Sequence, residues 1–457
     1  MLKFNSKPVS EHSEVPLADD GRLENLVEHW SARQAARTTS EGESLCYVVS
    51  IGPEREPVAR AAQLAEMVAL VEHQGGRVVG QELCYLTQPN ARTLLGKGAA
   101  QAITERAREQ GATMLVLDAE LSPSQTRNLE DAVGMPICDR EAIILNVFLR
   151  HARTRRARIQ VEIAQLEYLR PRIRGVGLDM DQQTGGNKNA RGPGETASEL
   201  MARKLDGRLK ELKSALSACE TSSLTQRRQR NRCQRIALVG YTNAGKTSLM
   251  NALTHAELSA RNMPFETLDT TSRCLTRHGG EVVLSDTVGF IRRLPERLLA
   301  SFQSTLSELS DASLLLLVID AADPERELQL RTTLEVLEKM GAQDLPRFYV
   351  WNKIDRLATS PDAKELAALS DGHPFIALSS HDPAAIAELN AKLIAAVRRQ
   401  EETLTAFVPY SAANTLSLIY ANFRVARSEA GDAGLTLKIQ ASPAVLSRIK
   451  HSLGKAS

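Results

Sequence analysis

Arg235-Ile-Ala-Leu-Val-Gly240-Tyr241-Thr242-Asn243-Ala244-Gly245-Lys246-Thr247 decides how the rest of the chain is read. The segment RIALV has the apolar pattern of a buried strand. It runs into G-x-x-x-x-G-K-T, and Ser-Leu-Met-Asn-Ala-Leu then begins an amphipathic helix. Strand, glycine turn and helix in that order are the context a phosphate-binding loop needs. The glycines let backbone amides wrap phosphate oxygens at the positive end of the helix. Lys246 reaches the β and γ phosphates, and the Thr247 hydroxyl binds Mg²⁺.

Downstream segments complete a nucleotide site. EVVLSDTVGF ends a strand in Asp286, Thr287, Val288 and Gly289. An acid at that strand tip can hold Mg²⁺ through water, and Gly289 can give its amide to the γ-phosphate. SLLLLVIDAAD is a wholly buried parallel strand. RFYVWNKID is another, and it ends in Asn352, Lys353, Ile354 and Asp355. A carboxylate at Asp355 accepts from the ring N–H and exocyclic amine of guanine, a pairing adenine cannot supply. Asn352 reads the other edge and Lys353 packs along the base. Leu378, Ser379 and Ser380, after PFIA, complete the base pocket. The bound nucleotide is therefore expected to be GTP/GDP.

Between Lys246 and Asp286 lies the segment for sensing the γ-phosphate, MPFETLDTT. Its residues Phe265, Glu266, Thr267, Leu268 and Asp269 are expected at the nucleotide. Thr267 is the favoured donor of a hydroxyl to Mg²⁺ and of an amide to the phosphate, with Thr271 second. The catalytic set is thus Lys246, Thr267 and Gly289, and the metal set is Thr247, Thr267 and Asp286. Many GTPases place a glutamine just after the D-x-x-G glycine to orient the attacking water. Here that residue is Phe290, followed by Ile291, and neither can hydrogen-bond water. Hydrolysis by the isolated protein is expected to be slow, with a partner supplying what is missing.

With 457 residues the chain is too long for one ordinary domain. Apolar residues are 42% and charged residues 25%, a globular balance, and aromatics at 4% leave the cores to Leu, Ile, Val and Ala. The 57 Lys and Arg against 55 Asp and Glu give only +2, so the position of the charges matters more than their sum. The longest wholly apolar run, Leu314 to Ile319, is far short of the roughly 20 residues that span a bilayer. The N-terminal segment carries acids and no apolar stretch of signal-peptide length. Cys46, Cys84, Cys138, Cys219, Cys233 and Cys274 are scattered, with no C-x-x-C pair, which fits a reducing cytoplasm. A soluble cytoplasmic protein without a membrane partner is expected.

Residues 1–45 are polar and without period, and read as a mobile tail. Over 46–145, CYVVSIG, RVVGQELC and TMLVLD are strand-like and alternate with the helical segments PVARAAQLAEMVALVEHQGG and GAAQAITERAREQG. That alternation implies parallel βαβ units. Residues 146–230 change character. One helical period runs from Glu141 to Leu169 and another from about Glu195 to Leu216, on either side of a glycine-rich loop. Arg150, Arg153, Arg155, Arg156, Arg158, Arg170, Arg172, Arg174 and Arg191 concentrate in this arm. Such a run also fits an ordinary solvated face. Its near-exclusive use of arginine and the adjoining loop favour polyanion binding, because the planar guanidinium suits phosphate. Residues 231–400 form the nucleotide domain. Residues 403–457 read as a strand, a helix and further short elements. They have no G-x-x-G turn of a KH module and no cysteine such as a tRNA-modifying relative would use. Overall the chain reads as multidomain α/β: an N-terminal α/β domain with a helical arm, a P-loop doubly wound sheet, and a small C-terminal α+β domain.

GYTNAGKTS, P-F-x-T-L-D, DTVGF and NKID together resemble the HflX branch of the translation-factor-class P-loop GTPases, within the Obg-HflX superfamily. LDAELSPSQTRNLED, CDREAIILNVF, HARTRRARIQVEIAQLEYLRPRI, RGPGET and PNARTLLGKGAA are similar to that family's N-terminal signatures, so the likeness spans about residues 46–400. The resemblance implies a ribosome-associated cytoplasmic GTPase that binds the large ribosomal subunit and acts in splitting, rescue or recycling. It directs the arm, with Arg153, Arg155, Arg156, Arg158, Arg172, Arg174 and Arg191, to ribosomal RNA near the peptidyl-transferase region. A monomer is expected. The chain departs from the family pattern in the arm, where the loop reads DMDQQTGGNKNARGPGE. Ala197-Ser198-Glu199 replaces Gln-Leu-Glu, and Arg156-Ala157 replaces an acid-glycine pair. These changes leave the nucleotide motifs intact and point to a specialised paralogue. An alternative reading is an RNA- or ribosome-binding assembly or quiescence factor with GTP as a structural ligand. An ATP-dependent RNA-remodelling role, resting on Gly96-Lys97-Gly98, ranks last, since a simple turn accounts for that tripeptide.

Overall fold

The structure is a computed structural model that describes residues 44–53, 57–152, 154–173, 197–230, 234–254, 271–276, 282–287, 289–295, 297–298, 309, 312–359, 361–398, 402–412, 416–417, 419–420, 424–441 and 446. Strands and helices alternate at the N-terminal end as β1 (Leu45–Gly52), α1 (Pro57–His73), β2 (Arg77–Tyr85), α2 (Lys97–Glu109), β3 (Met114–Asp118), α3 (Pro123–Val133) and β4 (Ile137–Asp139). All four strands run parallel in the order β2-β1-β3-β4. Every residue of β3 is buried, as expected of a parallel strand covered on both faces. Local chemistry sets the helix ends. Ser122 and Gln125 form a capping box around Pro123 at the start of α3, and Gly134 closes it in the left-handed conformation.

The arm differs from the sequence expectation at one point. The single helical period from Glu141 is two helices, α4 (Arg140–His151) and α5 (Arg155–Ile173). Thr154 causes the restart: its hydroxyl accepts from the Ala157 N–H at 3.1 Å, an N-cap in the middle of an otherwise helical pattern. The second arm helix, α6 (Ala197–Arg230), runs well past the expected Leu216. Ion pairs Arg208–Glu162 (2.9 Å) and Lys213–Glu167 (2.7 Å) tie α6 to α5.

The third unit is built on a six-stranded sheet in the order β10-β9-β8-β5-β7-β6. Its elements are β5 (Gln234–Val239), α7 (Lys246–Thr254), β6 (Thr271–Thr276), β7 (Val282–Asp286), β8 (Leu314–Asp320), α8 (Arg326–Lys339), β9 (Arg347–Asn352), α9 (Ala363–Leu369), β10 (Phe375–Ala377) and α10 (Pro383–Arg398). All pairings are parallel except β6 with β7. The carboxyl ends of β5, β7, β8 and β9 therefore converge on one edge, where ligands of open α/β sheets bind. A separate antiparallel sheet, β11 (Glu402–Pro409), β12 (Arg424–Ala430) and β13 (Gly434–Ala441), has its own small core of Ala406, Val408, Ile419, Leu437, Ile439 and Leu446.

The N-terminal sheet unit, the arm and one face of the six-stranded sheet share a continuous apolar cluster. Phe148 and Tyr168 come to it from the N-terminal side, and Phe290 and Ile291 from the nucleotide unit. No helix among the described residues is long and apolar enough to cross a membrane.

Candidate nucleotide site

Gly240 leaves β5 at φ +154°, and a Cβ there would stand 2.2 Å from the Val318 carbonyl oxygen, so only glycine lets the turn pass β8. The turn closes onto α7 at Gly245 (φ +92°), where a Cβ would meet Asn352 Nδ2 at 2.3 Å. Asn243 also sits in the left-handed region, at φ 63°. Lys246, the first residue of α7, is buried, and its ammonium donates to the carbonyls of Gly240 (3.1 Å) and Tyr241 (2.8 Å). Burial lowers its pKa to about 8, against the pull of Asp286 in the other direction.

The tip of β7 faces this turn. The Thr247 hydroxyl donates to Asp286 Oδ2 at 2.9 Å, so two hard oxygen donors stand together at the mouth of the turn. Such a donor pair fits Mg²⁺. The Thr287 hydroxyl is turned inward and donates to the Leu238 carbonyl at 2.6 Å. Gly289 packs on the turn: a Cβ there would be 3.0 Å from Lys246 Nζ. The next residue extends the contact as a short parallel bridge, with Phe290 N–H donating to Gly240 O (3.1 Å) and Thr242 N–H to Phe290 O (2.7 Å). The Phe290 ring is buried in the shared apolar cluster.

On the base side, Asn352 is fully buried and holds the turn. Its Nδ2 donates to Ala244 O at 3.0 Å, and its Oδ1 accepts from Ser380 N–H at 3.1 Å. Lys353 Nζ donates to Asn243 O at 2.6 Å and pairs with Asp320 Oδ2 at 2.8 Å. Asp320, at the end of β8, is a site residue that the motif reading passed over. Its signal was its position at the tip of the apolar run Leu314 to Ile319. Ile354 N–H reaches Leu378 O at 3.4 Å, which sets the turn carrying Asp355 beside Ser379. The Asp355 carboxyl is exposed, and a hydrogen bond from Ser379 holds it below the usual carboxylate range.

Two expectations change at this level. The Tyr241 side chain points away from the phosphate side, and its hydroxyl donates to Glu66 of α1. Arg172 does not face solvent. It is buried, lies 3.5 Å over the Tyr168 ring, and donates to Asp139 Oδ2 (3.0 Å) and Leu121 O (2.7 Å), so it cannot reach an external RNA. Arg155 and Arg158 are exposed and Arg156 half-buried. Phe265, Glu266, Thr267, Leu268, Asp269, Val288, Arg153, Arg174 and Arg191 lie outside the described residues, as do the side chain of Thr271 and residues 1–43.

A contact between units was also beyond motif reading. Tyr241 Oη accepts from the Arg292 N–H at 2.9 Å. The Arg292 side chain pairs with Glu325 and stands 3.9 Å from Glu66. Arg140, buried at the start of α4, pairs with Glu66 and with Asp118 (2.6 Å) and donates to the Arg292 carbonyl at 2.8 Å. Burial opposes the Arg140 charge, but the two carboxylates outweigh it and hold the guanidinium protonated.

Three family models match consecutive parts of the chain. They are described as GTP-binding GTPase N-terminal (residues 61–149), GTP-binding GTPase middle region (151–230) and 50S ribosome-binding GTPase (235–353). Full-length relatives agree with them. GTPase HflX of Gluconacetobacter diazotrophicus is 39% identical, over 88% of this chain and 96% of its own. GTPase HflX of Spirochaeta thermophila is 38% identical, over 88% of this chain and 97% of its own. The chain belongs to the HflX GTPase family. As an HflX GTPase it binds guanine nucleotide and hydrolyses GTP, and its nucleotide unit is of the ribosome-binding GTPase class. Among solved structures, a GTP-binding protein from Sulfolobus solfataricus in complex with GDP has a TM-score of 0.42 at 22% identity, over 77% of this HflX chain and 99% of its own.

Proposed function

We propose that this GTPase binds the large ribosomal subunit, that the subunit stimulates its hydrolysis, and that the cycle serves ribosome splitting, rescue or recycling in the cytoplasm. The observation that carries the reading is Phe290, buried where other GTPases place a water-orienting glutamine. A side chain locked in an apolar core cannot align water, so the aligning group has to come from a partner.

Within the site, Lys246 serves the β and γ phosphates and the Gly289 amide the γ-phosphate. Gly240, Tyr241, Thr242, Asn243, Ala244 and Gly245 supply the turn, with Tyr241 contributing only its backbone. Lys353, Ile354 and Asp355, with Leu378, Ser379 and Ser380, select guanine, while Asn352 supports them from beneath by holding the turn. Thr247 and Asp286, with Thr267 as the expected third donor, would hold Mg²⁺, which when bound neutralises charge on the β and γ phosphates. The arm reaches ribosomal RNA through exposed Arg155 and Arg158. The division into 46–145, 146–230, 231–400 and 403–457 is supported by the three sheets and the arm helices between the first two.

The test is GTP turnover with and without purified large subunits near physiological salt, because polyanion binding is salt-sensitive. A rise of roughly tenfold or more, about 1.4 kcal/mol off the barrier, is expected. No rise while binding persists would favour the assembly or quiescence reading and discard the ribosome-activated switch.

A further inference from the structure

The contact between Tyr241 and Glu66 has consequences for which nucleotide the site accepts. Residue 292 is held at both ends of its backbone: its N–H by the Tyr241 hydroxyl at 2.9 Å, its carbonyl by Arg140 at 2.8 Å. Glu66 fixes both holders, since it accepts from Tyr241 and from Arg140. Two residues upstream, Phe290 is paired with Gly240 and Thr242. Gly289 is thereby pressed so close to the ammonium that its Cβ position lies 3.0 Å from Lys246 Nζ. A Cβ there would also meet Thr242 Cγ2 at 2.9 Å, so not even a methyl group fits between residue 289, the ammonium and the turn. The 289–290 segment and a γ-phosphate therefore compete for the same space. A β-phosphate alone demands less of it.

We propose that Glu66 is a positioning residue that sets discrimination between GTP and GDP. Through Tyr241 and Arg292 it holds residues 289–290 down on Lys246, so that a γ-phosphate enters only as that hold is released. GDP binds without disturbing it. Glu66 does not touch the nucleotide, and it acts from a different sheet unit, 175 positions from Tyr241 along the chain. Linkage makes the effect reciprocal: GTP weakens the contact of α1 with the nucleotide unit to the same degree. The inference rests on the proposed roles of Lys246 and Gly289 at the phosphates.

The experiment measures dissociation constants of GDP and of a non-hydrolysable GTP analogue on the full chain. The proteins are the parent, Glu66→Gln, Tyr241→Phe and the double variant. Glu66→Gln removes the charge while Arg140 keeps Asp118, so no buried cation is orphaned. The expected result is an analogue affinity raised about tenfold with GDP changed by less than about twofold, the scale of one hydrogen bond to a charged acceptor. The double variant should gain no more than either single one. Equal shifts for both nucleotides, or no shift, would overturn the proposal, since a merely structural role moves the two together. If Glu66→Gln fails to fold, Tyr241→Phe, which removes a single oxygen, gives the same readout. Lys246→Ala separates the failures. If it still binds GDP at parent affinity, the phosphate assignment falls and the inference with it. If it abolishes GDP binding while the Glu66 ratio stays fixed, only the inference falls.

Discussion

At Lys246 the low dielectric of the phosphate turn works against the charge that the turn needs. Its pKa stands at about 8, lowered by burial. Below that pH the ammonium is already present. Above it, nucleotide must first return the proton, so affinity should fall by up to about tenfold per pH unit. A fluorescence titration of GDP should therefore give a flat Kd near neutrality and a rising one above pH 8; a Kd unchanged at pH 9 would contradict the role. Asp355 needs no such help, since it is exposed and Ser379 keeps it ionised. Asp355→Asn should shift preference from guanine to xanthine nucleotide in competition binding, and an unmoved preference would remove Asp355 from the base pocket. Most of this was legible in the sequence, because phosphate turns and base-reading motifs are contiguous and their chemistry is carried by residue type. The fate of the Tyr241 and Phe290 side chains was not. A motif names which backbone approaches the ligand, while the side chains between its fixed positions go wherever neighbouring units offer partners.

At the scale of elements, Asp139 does the most with one side chain. It caps α4 through the Ala142 N–H at 2.9 Å, accepts from the Tyr168 hydroxyl at 2.9 Å, and pairs with Arg172 from α5 at 3.0 Å. Asp139→Ala should cost about 3–5 kcal/mol, because it leaves the Arg172 guanidinium buried without its counter-charge. Thermal or urea melts of the full chain should show it, and a loss below about 1 kcal/mol would mean the pair contributes little. The alternation of strands and helices was plain in the apolar periods, and the parallel sheets followed from connection length. The break at 152–154 was hidden, since it uses neither Gly nor Pro but a threonine cap. Arg172 was hidden for a similar reason: one arginine in a run of arginines is distinguished only by what the fold places beside it. Helix α5 also runs past its expected end at Leu169, through Pro171, and continues to Ile173.

Across the whole molecule, the units differ in how far they depend on one another. The C-terminal sheet keeps its own core, whereas α10 belongs to the nucleotide unit through Leu389, Leu393 and Val397. A chain ending just after Arg398 should bind GDP within about twofold of the parent, at the scale of a surface change; a large loss would show that the C-terminal sheet supports the site. Replacing exposed Arg155 and Arg158 with Ala should weaken binding to large subunits and flatten its salt dependence by about one per lost phosphate contact, with GDP affinity retained. Pelleting across a salt series reads both. The joint between the units could not be read from sequence, because Glu66 looks like any carboxylate on an amphipathic helix until Tyr241 and Arg140 are brought to it. Asp139 and Arg140 are consecutive residues. The first grips the last turn of α5, where the loop of the arm begins, and the second grips the segment that lies on the phosphate turn. One peptide bond thus separates a pin on the arm from a pin on the nucleotide unit. A shift of α5 that drags Asp139 would therefore also move Arg140, and with it the carbonyl of Arg292, two residues from the Phe290 that is paired with the phosphate turn.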